Sequence, residues 1–269
     1  MKHDINQKFT LGEVLTAEQL SFYDEYGFVH FTNFLSKAEI EYLINAIHDL
    51  EMVWMKNNVK KVNGIPIKYG KDEHGLKIIQ RFAFASQDSE ELHQFLQDKR
   101  FEVLKGFVSK KSRIGEYEKD GMVISHYVNT GASKHTKLGW HTDGLRDLLS
   151  GFHIDPMINV GISLLDSPKI KGGLRVIPRT HRQNFYDLLF RKKHFIDNTA
   201  DPEEFAIETK AGDLTIHHGR VWHRAAPAEV LGAESKRLMI YFPIFKGKYK
   251  PKSASSRTPI YHKFQKMVR

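Results

Sequence analysis

Residues Ile158-Asn159-Val160-Gly161-Ile162-Ser163-Leu164-Leu165-Asp166 form a short apolar run closed by a turn-forming acid. Four more runs share this texture, Met122–Val128, Leu174–Ile177, Leu214–His217 and Leu238–Phe245, and they alternate with Gly, Pro and Asp turns. Several short strands at such spacing predict an all-β sandwich or barrel from residue 121 onward. Toward the N-terminus the pattern becomes helical. Residues 17–26 and 36–56 read as helices, and Ser36 with Glu39 three positions later forms a capping-box signal. Ile40, Leu43, Ile44, Ile47 and Leu50 then share one helical face. Gly27-Phe28-Val29-His30-Phe31 reads as a strand between these helices. Residues 58–79 hold Gly64, Pro66, Gly70 and Gly75 and predict loops or a hairpin, whereas Ser89–Val108 predicts one or two helices. The expected organisation is mainly β with flanking helices: a helix-rich part over 1–120 wrapped on a β core over 121–245.

The chain has 269 residues, 41% of them hydrophobic and 27% charged, which suits one folded domain and not a disordered chain. No apolar run approaches the roughly 20 residues that cross a bilayer, and Met1–Thr10 is polar and unlike a secretory signal. A cytoplasmic location is the default expectation. The absence of cysteine excludes disulfides, thiolate metal sites and a cysteine nucleophile. The net charge of +9 is concentrated in the tail. Residues 246–269 carry six Lys, two Arg and no acid, so the first 245 residues hold only +1. Such a basic tail suits an anionic substrate, a carrier protein or nucleic acid, or is simply a solvated arm. Tyr249, Tyr261 and Phe264 interleave with its lysines and suit docking onto the body better than stacking on bases.

Fifteen histidines make chance pairs common, and two His-x-Asp pairs occur: His141-Thr142-Asp143 and His153-Ile154-Asp155. On a strand, residues i and i+2 face the same side, so an imidazole and a carboxylate at this spacing can meet one metal ion. Two histidines and one carboxylate that leave coordination positions open suit iron(II) that activates oxygen. The spacing alone leaves both pairs open and does not fix a third ligand.

The wider order of motifs separates them. After Trp140-His141-Thr142-Asp143-Gly144 come the 158–166 run, then Gly172-Gly173-Leu174-Arg175-Val176-Ile177-Pro178-Arg179-Thr180-His181. Next are Ala211-Gly212-Asp213-Leu214-Thr215-Ile216, His217, His218 and Trp222-His223, and last Arg237-Leu238-Met239-Ile240-Tyr241-Phe242. This order resembles the phytanoyl-CoA dioxygenase family of iron(II)- and 2-oxoglutarate-dependent oxygenases over about 20–245. The resemblance implies a double-stranded β-helix core, of the jelly-roll, cupin-like kind. It also implies His141, Asp143 and His223 as metal ligands, with iron(II), 2-oxoglutarate and O2 as cofactor and co-substrates. His217 and His218 fall too early for the third ligand, and His153-Ile154-Asp155 sits where the family has none. Arg237 matches the arginine that grips the far carboxylate of 2-oxoglutarate, since a guanidinium binds a carboxylate through two parallel hydrogen bonds. Arg220 and Arg224 compete for that role.

One departure stands out. Many members carry a small hydroxyl residue two positions after the third ligand; here that place is Ala225. Tyr127 and Asn129 are candidate replacements for co-substrate contacts, against ordinary strand packing and turn capping. The resemblance implies hydroxylation of an unactivated C–H, because Asp143 fills the position that halogenating relatives leave to chloride. Desaturation and ring formation use the same ligands. Trp140 and Trp222 flank the ligands, as core or as shields against water. A small-molecule substrate is expected. Arg146, Arg175 and Arg179 and the tail hint that it is anionic or carrier-bound. The alternatives are a non-redox cupin-like metalloenzyme, which does not need Arg237, and a nucleic-acid-binding protein, which the nearly neutral body disfavours.

Overall fold

The computed structural model describes residues 3–130, 133, 135–144, 154–259 and 262. Two helices open the chain: α1, Ala17–Tyr26, and α2, Lys37–Lys56. Both begin in a capping box, Thr16 with Gln19 and Ser36 with Glu39, which satisfies backbone N–H groups that the first turn leaves bare. Gly27 closes α1 with a left-handed φ of 80°. Any Cβ there would also overlap the His181 ring, so glycine is required twice over. The strand β1, Phe28–Phe31, follows it and is buried throughout. Two hairpins come next: β2 (Lys61–Val62) with β3 (Ile65–Pro66), and β4 (Lys68–Lys71) with β5 (Lys77–Arg81). Short helices α3 (Glu90–Leu96) and α4 (Arg100–Leu104) and the strand β6 (Arg113–Ile114) complete this part.

The remaining strands are β7 (Val123–Asn129), β8 (Leu138–His141), β9 (Met157–Ser163), β10 (Gly173–Ile177), β11 (Phe205–Ala206), β12 (Leu214–His218), β13 (Trp222–Ala226) and β14 (Gly232–Phe245). A short helix, α5, covers Phe185–Phe190. The larger sheet has the order β1-β12-β9-β14-β7-β5-β4, with β6 on β14; the smaller is β11-β10-β13-β8. Every pairing between named strands is antiparallel, and sequence neighbours are seldom sheet neighbours, as in a jelly roll.

The N-terminal third is not the helical layer expected from its sequence. Helix and strand alternate in it, and its strands extend the larger sheet: β1 pairs with β12, and β5 pairs with β7. The glycines and proline of 58–79 punctuate two hairpins, one of which supplies strands to the main sheet. The helices pack outside, where Leu43, Ile47, Leu50 and Trp54 of α2 join a core with Phe82, Phe101, Phe242 and the apolar residues of β9. The Gly-Asp pair before β12 is a structural hub. Asp213 accepts hydrogen bonds from the Asn33 and Lys210 N–H groups at 3.1 and 2.9 Å and meets His30 Nε2 at 2.8 Å, which locks β1 to β12.

The first part of the basic tail lies against the body. The Lys246 N–H donates to Pro156 O, the Lys252 N–H donates to Tyr117 O, and Tyr249 is buried edge-on against Phe245 at 4.5 Å. Tyr249 thus docks the tail, as its apolar ring suggests; Tyr261 and Phe264 lie outside the described residues.

Candidate metal centre

His141 is the last residue of β8, and Asp143 follows just beyond the strand end. The Thr142 N–H between them donates to His194 Nε2 at 3.1 Å, which fixes the turn. His223 lies on β13 directly opposite His141 in the antiparallel register. One donor atom from each of His141, Asp143 and His223 lies within 4.8 Å of the others, and all three residues are buried. Among the described residues this is the sole such group of histidines and acids.

The two imidazoles are held in the same way. His141 Nδ1–H donates to Gly139 O at 2.8 Å, and His223 Nδ1–H donates to Val221 O at 3.0 Å. Each ring therefore presents the lone pair of Nε2. Phe195 stacks on His141 at 4.8 Å and 25°. Gly139 lets that aromatic segment cross, because a Cβ there would press on the carbonyls of Phe195 and Asp197. Burial, with the His223 ring next in effect, pushes His141 well below the usual imidazole range and keeps it neutral. A neutral ring is the form that binds a metal.

The strand alternation separates the two adjacent histidines of β12. His218 faces out, accepts the Arg220 N–H at Nδ1, and packs near His181 and Tyr23. His217 faces in, lines the cavity and lies beside Asp143 and His223. Asn159 also reaches the centre, donating from Nδ2 to Asp143 Oδ2 at 3.3 Å. No spacing rule points to Asn159 or His217; both arrive through sheet register, where they are cross-strand partners. His153 and Arg146 lie outside the described residues.

Arg237 sits on β14 opposite Tyr127 of β7. Its guanidinium stacks over the Tyr127 ring at 4.3 Å, and Nη2 donates to Ala226 O at 3.3 Å, three residues past His223. The residue is 2% exposed, its Nε has no partner, and no carboxylate pairs with it among the described residues. Burial accordingly pulls its pKa down. The competing arginines among the described residues are engaged. Arg224 forms a two-point bond to Glu204 at 2.9 and 2.8 Å, Arg220 donates to Gln183 O, Arg175 to Gly172 O, and Arg179 to Glu25. The β14–β7 register shifts between Gly232 and Arg237.

Tyr127 lines the cavity beside the triad, as does Tyr241. Asn129 instead spends its amide on Ala228 O and Val230 O, at 3.1 and 3.3 Å, and so shapes the loop before β14. Trp140 and Trp222 pack with Ile177 as a small core, their indole N–H groups bonded to Thr199 O and Gln183. The cavity also takes Lys68 and Arg81 from the N-terminal hairpin and His262 from the tail.

Two antiparallel sheets enclose two imidazoles and one carboxylate whose donor atoms are close enough to hold one metal ion, a donor set of the two-histidine, one-carboxylate kind. The chain belongs to the phytanoyl-CoA dioxygenase (PhyH) family, whose family model matches residues 23–229. No curated protein matches its sequence. Among solved structures it is similar to SnoK, a non-heme alpha ketoglutarate dependent carbocyclase from nogalamycin biosynthesis. The two share 19% identity at a TM-score of 0.63, over 98% of this chain and 94% of that one. It is also similar to SnoN, an alpha ketoglutarate dependent epimerase of the same biosynthesis, at 15% identity and a TM-score of 0.60 over 88% and 85%. HygX from Streptomyces hygroscopicus, crystallised with nickel and 2-oxoglutarate, matches at 18% identity and a TM-score of 0.63 over 88% and 90%. These likenesses bear on the fold. No helix among the described residues is long and apolar enough to cross a membrane.

Proposed function

We propose that the protein is an iron(II)- and 2-oxoglutarate-dependent oxygenase that hydroxylates an unactivated C–H of a small molecule. The observation that carries this reading is Arg237: a guanidinium, 2% exposed and without a carboxylate, next to the strand that bears His223. A buried charge without a counter-ion costs several kcal/mol or more, so the fold keeps one where a ligand supplies the anion. A non-redox metalloenzyme does not need it to bind a dicarboxylate co-substrate.

The donor set fits iron(II). His141, Asp143 and His223 would hold the metal, with Nδ1 of each histidine fixed to a backbone carbonyl. Arg237 would bind the far carboxylate of 2-oxoglutarate, with Tyr127 as the wall on which the guanidinium rests. Iron(II) with 2-oxoglutarate and O2 supplies, when bound, an oxidant able to attack an unactivated C–H, with succinate and CO2 released. The protein's part is to orient and to exclude water. Phe195 covers the open face of His141, and neutral His141 leaves its lone pair to the metal in place of a proton. Asp143 occupies the third protein position, which supports hydroxylation over halide transfer. Lys68 on the cavity wall supports a substrate with an anionic group, whereas Arg81 beside it is paired with Asp120.

The test is incubation in air with iron(II), 2-oxoglutarate and a panel of small metabolites, reading succinate and product mass. Succinate with a product one oxygen atom heavier is expected. Ring closure or epimerisation, the reactions named for SnoK and SnoN, would leave no added oxygen and overturn the hydroxylase assignment while keeping the oxygenase.

A further inference from the structure

His217 is 1% exposed, and neither of its ring nitrogens has a hydrogen-bond partner. Two buried polar atoms without partners are costly, and on this stretch of cavity wall a phenylalanine would fill the same space without that cost. The ring is not a fourth member of the triad, since its nitrogens fall outside the group of mutually close donor atoms. It touches the triad from outside: Nε2 lies 3.9 Å from Asp143 Oδ2, and the ring centroid is 4.3 Å from that of His223. At that distance the Asp143 contact is not yet a hydrogen bond. Asn159, directly across from His217 in the β9–β12 register, donates to the same oxygen at 3.3 Å. Asp143 itself lies past the end of β8. Two side chains from neighbouring strands thus converge on one carboxylate oxygen.

We propose that His217 and Asn159 are positioning residues that hold Asp143 Oδ2 and so orient the carboxylate that would meet the metal. This rests on the metal reading of the triad. It concerns how the carboxylate is oriented, and not which residues bind. Outer contacts of this kind change metal affinity by roughly 10–100-fold.

The test is titration of the full-length protein with cobalt(II), reading its visible absorption, alongside melting of the metal-free protein. His217→Phe is expected to bind cobalt at least tenfold more weakly with an altered spectrum, while its metal-free melting temperature stays level or rises. His217→Gln, which can place an N–H where Nε2 stands, is expected to stay within about threefold of wild type, and Asn159→Ala to weaken binding like the phenylalanine. If His217→Phe does not fold, the glutamine and alanine variants decide the matter by the same readings. Cobalt affinity and spectrum unchanged in His217→Phe, or in Asn159→Ala, would overturn the inference and leave His217 to a cavity ligand. A wild type whose cobalt uptake is absent, or is the same in His141→Ala, would overturn the metal reading beneath it.

Discussion

Arg237 shows how one residue can be costly to the fold and still be kept. Its neighbours are the Tyr127 ring, the Ala226 carbonyl and, farther off, the like charge of Arg175. None of these neutralises it. Replacing it with methionine, of similar length, is therefore expected to raise the stability of the metal-free protein by about 2 kcal/mol, read as a higher urea midpoint, and to abolish 2-oxoglutarate binding. A lower midpoint would mean that the guanidinium is structural. The sequence pointed at this arginine through its place in a motif order. It could not show that the charge is unpaired, because that depends on Glu204 and Glu25 going to other arginines. Asn129 is the converse case: its position beside Tyr127 suggested a co-substrate contact, but its amide is consumed by the loop across from it.

Among the elements, β9 carries the run that opened the sequence reading, and Gly161 within it has a steric duty. In register it lies opposite Tyr241 of β14 and Thr215 of β12. A Cβ would fall 2.8 Å from Tyr241 Cε1 and 3.0 Å from Thr215 Oγ1. The Gly161→Ala variant is expected to lose about 1–3 kcal/mol in chemical denaturation and to push Tyr241 toward the cavity. A neutral effect would show that the tyrosine ring has room to move. Helix α1 was legible to the residue and α2 to within one, because periodicity and the Ser36–Glu39 capping box are local signals. For 58–79 the sequence left loops or a hairpin open, and the structure has two hairpins, since short strands with glycine and proline look like loops until a sheet edge accepts them. The same limit hid His217 and Asn159, whose meeting at Asp143 is set by strand register and not by spacing.

For the whole molecule, buried histidines set the response to acid. His126 and His218 are each held at about 4, mainly by burial, with Lys236 adding for His126 and His181 for His218. Unfolded, each takes up a proton near 6.5. The unfolded chain therefore binds more protons over this window, and stability falls as the pH drops from about 6.5 to 4, after which these two residues add no further loss. Each contributes a slope of about 1.4 kcal/mol per pH unit. Denaturant melts of the metal-free protein across this window are expected to show the loss, with His218→Gln flattening the slope by about one proton. An unchanged slope in that variant would place the acid sensitivity elsewhere. Net charge could not hint at this, because neutral histidines do not count in it. Docking of the tail through Tyr249 was readable from its aromatic ring, but the arrival of His262 at the cavity wall was not.

The most direct measurement is an anaerobic titration of the iron(II)-loaded protein with 2-oxoglutarate, followed by the visible charge-transfer absorption of the chelate. A saturable band at one equivalent is expected in the wild type. It should be absent from Asp143→Ala for want of metal, and from Arg237→Met for want of the diacid. A wild type with no band, or a band of equal affinity without Arg237, would contradict the assignment of this centre.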